Sequence, residues 1–394
     1  MKILQVNVRL TEGGAAQVAW TLQQELENMG HEISFLYGYG SRGGFSLKHN
    51  KAKHIKFTSR ISAAFNLVFF RLTGNESSLF KKIKTKKLIS IFKQFDIIHL
   101  HVVHSYFVNY KILINSLAKS GVPIVWTLHD QWIITGRCAQ PGNCTQWLTG
   151  CKPCVNKSAY PPSIVDNAAK VYLNKQNTLR NLFSTANIQL VSCAKWLTQE
   201  LEKTNLKNII TVTNSIDHDF FNGLLNVKSA PTHDNLFICR DLRDEKKIDW
   251  PLLERVSKLP DQTLTIVGNN PLYKNLHANY LSAINNRYEL AKIYKSHKRL
   301  IFTSMVDYYP LTITEALASG LDVFALLSPA ALEFTDHPNC FIFNTVEELY
   351  SALSIRQNQK MVNKLAYPAT KFDFSPAIMS QKYEAIYKQL LEKS

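Results

Sequence analysis

Short apolar segments of strand length alternate with amphipathic helical stretches along this chain, and that alternation constrains the fold more than any other feature. The segment "KILQVNV" is followed by a glycine loop and by "GGAAQVAWTLQQELENMG", where Val18, Leu22 and Leu26 recur at helical spacing. Further apolar segments are "HEISFLYG", "FDIIHLH", "VPIVWTLHD" and "NIQLVSC". Strands that alternate with helices form parallel βαβ units. The first half is therefore predicted to be a doubly wound α/β domain.

The same alternation restarts in the second half, where "NLFICRDL", "TLTIVGNN", "RLIFTS" and "LDVFAL" are the predicted strands. A chain of 394 residues is also too long for one ordinary core. We therefore predict two Rossmann-like, doubly wound α/β domains that face a central cleft, over residues 1–214 and 215–375. The terminal helical stretch at 376–394 is predicted to pack back on the first domain.

The chain is strongly basic, with a formal net charge of +16, and the excess is concentrated. Between Lys51 and Gln94 eleven Lys or Arg residues face one acid, Glu76, and are interleaved with Phe and Ile. A solvated helix face and a surface for anionic lipid both fit this pattern. No RNA-binding motif, zinc-finger spacing or basic heptad region accompanies it, so we expect no nucleic-acid partner.

The N-terminus lacks the features of a signal peptide, and no stretch approaches the ~20 apolar residues of a membrane span. We therefore expect a cytoplasmic protein, and we expect the basic segment to attach it peripherally to the inner, anionic face of the cell membrane.

Two carboxylates, Asp307 and Glu315, lie eight positions apart in "VDYYPLTITEALASG". Pro310 and Gly320 are typical of the start and end of a helix, so Asp307 is predicted in the preceding loop and Glu315 on the helix. Both would then face a cleft. A carboxylate that accepts hydrogen bonds from vicinal hydroxyls is how proteins bind ribose. A helix-capping Asp and an exposed helical Glu remain the alternative interpretation.

Four of the seven cysteines cluster as Cys138, Cys144, Cys151 and Cys154. Four thiolates match the tetrahedral, soft-ligand preference of Zn²⁺, and a C-x-x-C pair supplies two of them. The wider first spacing is unusual for zinc, and free thiols are the alternative. Disulfides are disfavoured in a reducing cytoplasm.

Several motifs together resemble one enzyme family. "SMVDYYPLTITEALASG" resembles the nucleotide-sugar signature of retaining glycosyltransferases of family 4, and "GGAAQVAWTLQQELENMGHEISFLYGYG" resembles that family's glycine loop and first helix. "LHVVHSYFVNY", "VWTLHDQWIITGRCAQPGNCTQWLTGCKPC" and "VSCAKWL" are similar to a bacterial exopolysaccharide and lipopolysaccharide subgroup that includes colanic acid glycosyltransferases. The resemblance covers nearly the whole chain. It implies the GT-B fold, with the acceptor bound by the N-terminal domain and the donor mainly by the C-terminal domain.

The resemblance also implies roles for particular residues. Glu315 matches the acid that holds the donor ribose, and Asp307 stands where most of the family has Glu. Arg243 and Lys247 match the pair that neutralises the donor diphosphate, with Arg240 and Lys246 as alternates in an ambiguous register. His129 matches a histidine that faces the donor sugar, with Asp130 able to orient it, so the implied catalytic set is His129, Asp307 and Glu315. Gly13 and Gly14 would let the backbone approach the donor phosphates or the acceptor closely, and the implied acceptor contacts are His101, His104 and Tyr106.

The expected reaction is transfer of a hexose, galactose or glucose, from a nucleoside diphosphate sugar to a lipid-linked oligosaccharide with retention of configuration. A uridine diphosphate donor is favoured, guanosine diphosphate sugars stay open, and the expected acceptor is a polyprenyl-diphosphate-linked saccharide. No catalytic cofactor is expected, because members of the family that this chain resembles usually bind the donor without a metal ion. The alternatives are a sugar-nucleotide epimerase of the same fold and, less favoured, a basic nucleic-acid-binding protein.

Overall fold

The computed structural model describes residues 1–38, 53–56, 58–75, 84–105, 107–227, 230–271, 276–355 and 373–393. Tyr106 and parts of the basic segment lie outside these residues. The chain divides into two compact units, Met1–Thr213 with Met379–Ser394, and Asn214–Ile378.

The first unit is built on a seven-stranded sheet in which every described pairing is parallel. Its strands are β1 (Lys2–Asn7), β2 (Glu32–Tyr37), β3 (Lys53–Lys56), β4 (Ile97–Leu100), β5 (Ile124–Leu128), β6 (Ile188–Ser192) and β7 (Ile209–Thr211). Its helices are α1 (Gly14–Asn28), α2 (Arg60–Thr73), α3 (Lys84–Phe92), α4 (Tyr110–Ala118), α5 (Ala168–Thr185) and α6 (Lys195–Glu202). The strand order is β3-β2-β1-β4-β5-β6-β7. Strands β4 and β5 are buried at every position, as expected of a parallel sheet that helices cover on both faces.

The second unit repeats this plan with a six-stranded parallel sheet. Its strands are β8 (His233–Asp241), β9 (Leu264–Asn269), β10 (Asn279–Leu281), β11 (His297–Phe302), β12 (Asp322–Leu326) and β13 (Cys340–Phe343). Its helices are α7 (His218–Asn226), α8 (Trp250–Ser257), α9 (Arg287–Lys295), α10 (Leu311–Ala318), α11 (Pro329–Leu332) and α12 (Val346–Ser354). The strand order is β10-β9-β8-β11-β12-β13.

Each sheet has a switch point, where the direction of strand succession reverses. It lies between β1 and β4 in the first unit and between β8 and β11 in the second. Ligands of doubly wound sheets bind outside the carboxyl ends of the strands at such points. The loops that follow these four strands are therefore where a site is expected.

The last helix, α13 (Pro376–Glu392), packs on the first unit. Its Tyr387 hydroxyl lies 2.7 Å from Nδ1 of His99 on β4, and its Tyr383 hydroxyl lies 2.8 Å from Oγ1 of Thr127 on β5. These two buried contacts fix the helix against the centre of the sheet. Among the described helices, none combines the length and the apolar character needed to cross a membrane.

Candidate active site

A lysine and a carboxylate meet at the switch point of the second unit. Lys247 lies in the loop between β8 and α8, and Asp307 lies in the loop between β11 and α10. The Lys247 Nζ donates to Oδ1 of Asp307 at 2.6 Å, and both side chains are partly exposed. The sheet order therefore brings together two predicted site residues that are sixty positions apart in the sequence.

Hydrogen bonds hold these two loops against one another. The Thr303 hydroxyl donates to the carbonyl of Lys247 at 2.8 Å, and the backbone N–H of Asp249 donates to that hydroxyl at 3.2 Å. The backbone N–H of Met305 donates to the carbonyl of Lys246 at 3.2 Å. Burial alone would lower the pKa of Lys247, but the charge and hydrogen bond of Asp307 outweigh it and raise that pKa. The ammonium group is therefore charged at neutral pH.

The other predicted diphosphate residues lie apart from this pair. The Arg243 guanidinium binds Asp241 with two hydrogen bonds, of 2.9 and 2.7 Å, and its side chain is exposed. Arg240 and Lys246 are also exposed. Of the candidate cations in this loop, Lys247 is the one whose side chain reaches Asp307.

Helix α10 has the limits that its sequence predicts to within one residue. Pro310 is its N-cap residue rather than part of its first turn, and no side chain caps it. Gly320 adopts φ 83° directly after the helix. Its N–H donates to Leu317 and the next N–H donates to Ala316, which is the Schellman pattern.

Glu315 is buried, whereas the sequence predicted that it faces an open cleft. Its side chain is 5% exposed and accepts a hydrogen bond from Nη2 of Arg287 and one from the Tyr294 hydroxyl at 2.9 Å. Arg287 Nε also donates to Asp217, the N-cap of α7, at 2.5 Å. Two carboxylates thus share one buried guanidinium, and a phenol donates to one of those carboxylates. Burial raises the pKa of Glu315, and the charge of Arg287 opposes that rise.

Sequence reasoning missed Arg287 and Tyr294. The available signal was their spacing of seven residues, which puts them on the same face of α9. That spacing does not reveal that the face packs against Glu315.

The switch point of the first unit carries the predicted glycine loop and histidines. Gly13 adopts φ 95° as the N-cap of α1, a conformation that favours glycine, and an added Cβ at Gly13 or Gly14 would meet no atom within 4 Å. His101 and His104 follow β4, and His129 follows β5. The free space at Gly13 and Gly14 makes the glycine loop open enough for a ligand to approach its backbone.

A chain of hydrogen bonds links His129 to the sheet interior. His129 Nε2 lies 3.1 Å from Nδ1 of His101, whose Nε2 lies 3.1 Å from Oε1 of Gln5. The side-chain oxygen of Gln5 can only accept, so the proton of the neutral His101 ring lies on Nε2. The Nδ1 atom of His101 is therefore an acceptor, and it receives a hydrogen bond from Nε2 of His129. Burial lowers the pKa of His129 to about 4, against the opposing charge of Asp130, so the ring is neutral at pH 7. His129 Nδ1 is then a hydrogen-bond acceptor.

Asp130 does not orient His129 through a hydrogen bond, contrary to the sequence-based expectation. Its Oδ2 lies 2.8 Å from Nε2 of His104, and its Oδ1 accepts from the backbone N–H of Trp132 at 2.9 Å. His104 also bonds Ser105 through Nδ1. His101 and His104 are buried, and both ring nitrogens of each are hydrogen-bonded, so neither offers an exposed nitrogen to the acceptor substrate. Their role in binding that substrate stays a prediction.

The four clustered cysteines line one small cavity in the segment between β5 and α5. In the described part of the chain, no three His, Cys, Asp or Glu side chains already stand in an arrangement that could hold a metal ion.

Comparison with known proteins identifies the family. The sequence profile of Glycosyltransferase Family 4 matches residues 12–220, more than half of the chain. The chain belongs to glycosyltransferase family 4. This glycosyltransferase is 32% identical over 351 residues to a protein of Escherichia coli K12 named as colanic acid biosynthesis glycosyl transferase WcaC, covering 84% of this chain and 85% of that one.

Solved structures support the fold. Sucrose-phosphate synthase of Thermosynechococcus elongatus superposes with a TM-score of 0.61 at 12% identity, with all of both chains covered. An α-glucosyltransferase in complex with UDP and DNA superposes with a TM-score of 0.53 at 12% identity over 97% of this chain and 94% of that one. With its two parallel doubly wound sheets, this glycosyltransferase has the GT-B fold of two Rossmann-like domains.

Proposed function

We propose that this glycosyltransferase uses a nucleoside diphosphate sugar as donor and that its second unit binds the diphosphate. The observation that carries the proposal is the pair of Lys247 and Asp307, 2.6 Å apart in the loops that follow β8 and β11. These loops flank the switch point, where ligands of doubly wound sheets bind. A charged lysine there favours a polyanion. As the bond from sugar to phosphate breaks, Lys247 stabilises the negative charge that develops on the leaving diphosphate.

The two acids have different proposed roles. Asp307 stands where most of the family has the longer Glu. Because it binds Lys247, its first proposed role is to orient that lysine. Its second proposed role is to contact the transferring sugar. Glu315 holds the donor ribose. Arg287 and Tyr294 each occupy one of its oxygens, but every carboxylate oxygen has a second lone pair for a hydroxyl.

In the first unit, His129 would accept a hydrogen bond from a sugar hydroxyl through Nδ1, and the open loop at Gly13 and Gly14 would approach the donor phosphates. We propose transfer of galactose or glucose with retention and without a catalytic metal ion, from a uridine diphosphate donor. The UDP bound by the α-glucosyltransferase neighbour supports that base. The proposed acceptor is a polyprenyl-diphosphate-linked saccharide in exopolysaccharide, capsule or lipopolysaccharide biosynthesis. The relative named for colanic acid biosynthesis supports a role in exopolysaccharide biosynthesis.

Thermal unfolding with a panel of nucleotides and nucleotide sugars tests the donor. A ligand that binds the folded state stabilises it by RT ln(1 + [L]/Kd), so the shifts rank the donors. We expect shifts with one diphosphate class, led by UDP-glucose or UDP-galactose. Lys247→Met should weaken binding about 10- to 100-fold, the effect of losing a charge-assisted hydrogen bond. Glu315→Gln, compared with its own ligand-free baseline, should weaken it as well.

Lys246→Met is the matched control, because it removes the same charge from the adjacent, exposed position. It should leave the ligand-induced shift unchanged. Equal losses in Lys246→Met and Lys247→Met would argue for general electrostatic attraction, and no shift with any nucleotide would refute the donor proposal.

We also propose that the chain docks on the inner, anionic face of the cell membrane. Helix α2 exposes four apolar side chains, Ile61, Phe65, Val68 and Leu72, each more than half exposed. Their spacing puts them on one face of the helix. Exposed basic residues accompany them, among the described residues Lys56, Arg71, Lys87 and Lys93. Each basic residue near an anionic surface contributes about 1 kcal/mol to docking.

A further inference from the structure

The four clustered cysteines surround a common space. Cys138, Cys144, Cys151 and Cys154 all line a cavity of about 20 Å³ between β5 and α5. A water-sized sphere needs about 10–15 Å³, so the cavity has room for a single small ion. All seven cysteines of the chain are described, and none forms a disulfide.

Two of the four sulfurs, those of Cys151 and Cys154, accept hydrogen bonds from N–H donors, and the chain turns tightly ahead of the second. Gly150 and Cys151 adopt φ 89° and 60°, which turns the chain tightly ahead of Cys154. The backbone N–H of Gly136 donates to Cys151 Sγ at 3.1 Å, and Arg137 Nη2 donates to Cys154 Sγ at 3.5 Å. N–H donors to sulfur stabilise the thiolate form, which is the form that binds metals.

Arg137 supplies the charge argument. It is fully buried, and its guanidinium donates to the carbonyls of Ala159, Pro161 and Asn156 at 3.1, 2.5 and 2.7 Å. Among the described residues, no carboxylate bonds to it. A buried cation that no anion contacts directly is costly, and neutral thiols supply no anion. Four thiolates around a divalent ion carry two net negative charges and would compensate it.

We propose that Cys138, Cys144, Cys151 and Cys154 bind one structural Zn²⁺ ion as a tetrahedral tetrathiolate. Binding converts four thiols and Zn²⁺ into a complex of charge −2 and releases four protons to solvent, with no change of oxidation state. Because no three ligand side chains among the described residues are arranged to hold an ion, binding would require the thiols to rotate toward the cavity. The ion would fix the segment that begins just after His129, and the proposal stands independently of the donor.

The test measures zinc in the untagged, full-length protein purified with zinc and without chelator. We expect about one ion per chain for the wild type. Replacement by Co²⁺ should give the intense sulfur-to-cobalt charge-transfer and d–d absorption of a tetrahedral thiolate site. Cys151→Ser should lower zinc affinity by at least the 10- to 100-fold that loss of a supporting contact costs.

Cys340→Ser is the matched control, because Cys340 is a buried cysteine of the second unit outside this cluster, and it should retain the full zinc content. The cobalt spectrum uses only the wild type, so it decides the question even if Cys151→Ser fails to fold. Sub-stoichiometric zinc in the wild type would overturn the proposal. So would a cobalt spectrum without thiolate bands, or masses that reveal disulfides among the four cysteines.

Discussion

At the scale of single residues, Arg287 sets the charge balance inside the second unit. It is the partner of both Asp217 and Glu315, and all three side chains are at most 10% exposed. Burial would lower the pKa of Arg287, but the charges of Glu315 and Asp217 raise it. The guanidinium is thus permanently charged, and its hydrogen bond holds the Glu315 carboxylate in place.

Replacing Arg287 by methionine is expected to destabilise the protein by about 3–5 kcal/mol, because removing one partner leaves buried carboxylates uncompensated. Urea unfolding followed by circular dichroism measures this. Lys292→Met is the control on the same helix, since its ion pair with Glu289 is more than half exposed on both sides, and it should cost no more than about 1 kcal/mol. Similar small losses in the two variants would mean that water reaches the Arg287 network.

The residue scale also shows where sequence reasoning ends. The motif spacing singled out Asp307 and Glu315, the family resemblance implied Lys247, and the structure pairs Lys247 with Asp307. The sequence could not predict that Glu315 is buried against Arg287 or that Asp130 bonds to His104. Each of these pairs joins different elements, and the sequence around either member carries no record of the other.

At the scale of elements, helix α2 differs from its neighbours in what it exposes. A surface helix normally turns its apolar residues inward. Here Phe70 is buried, while Phe65 and Val68 are 60% and 54% exposed on a second apolar face. That second face supports the proposed docking on the membrane.

Phe65→Ser should weaken retention on phosphatidylglycerol vesicles roughly 10- to 100-fold, from the apolar burial that Phe loses. Stability in solution should change by no more than about 0.5 kcal/mol, because the side chain is exposed. Flotation on a density gradient measures retention, with phosphatidylcholine vesicles as the uncharged comparison. Leu225→Ser, a substitution on α7 at a residue that is 66% exposed, should leave retention unchanged. Equal losses in the two variants would refute a specific role for α2.

On the scale of the whole molecule, buried neutral histidines make stability depend on pH. Burial lowers the pKa of His99 to about 3, and those of His129 and His297 to about 4. As the pH decreases, these histidines bind protons near pH 6.5 in the unfolded chain but only at lower pH in the folded protein. More protons bound in the unfolded state means that stability falls as the pH decreases from about 6.5 toward 4.

His297→Gln should reduce this pH dependence by up to about 1.4 kcal/mol per pH unit, the contribution of one proton. The His297 ring is buried and lies within hydrogen-bond distance of the Ile293 carbonyl and of the Thr265 and Ser296 hydroxyls, with His233 and Asp234 nearby. Urea unfolding between about pH 6.5 and 5 measures the slope. His277→Gln, at an exposed position, should keep the wild-type slope. An unchanged slope in His297→Gln would show that the folded protein accommodates the imidazolium ion.

The sequence by itself determined the two doubly wound sheets and the limits of α10. It also determined which polar and glycine residues stand in the loops after the central strands. These properties depend on local periodicity and on the backbone preferences of Pro and Gly, which are readable within a few residues. Only the tertiary structure decided which side chains pair. Arg287 reaches Asp217 across seventy positions, and His99 reaches Tyr387 across 288. Such contacts arise because the sheets place distant segments side by side, and burial makes each polar group there depend on the partner it finds.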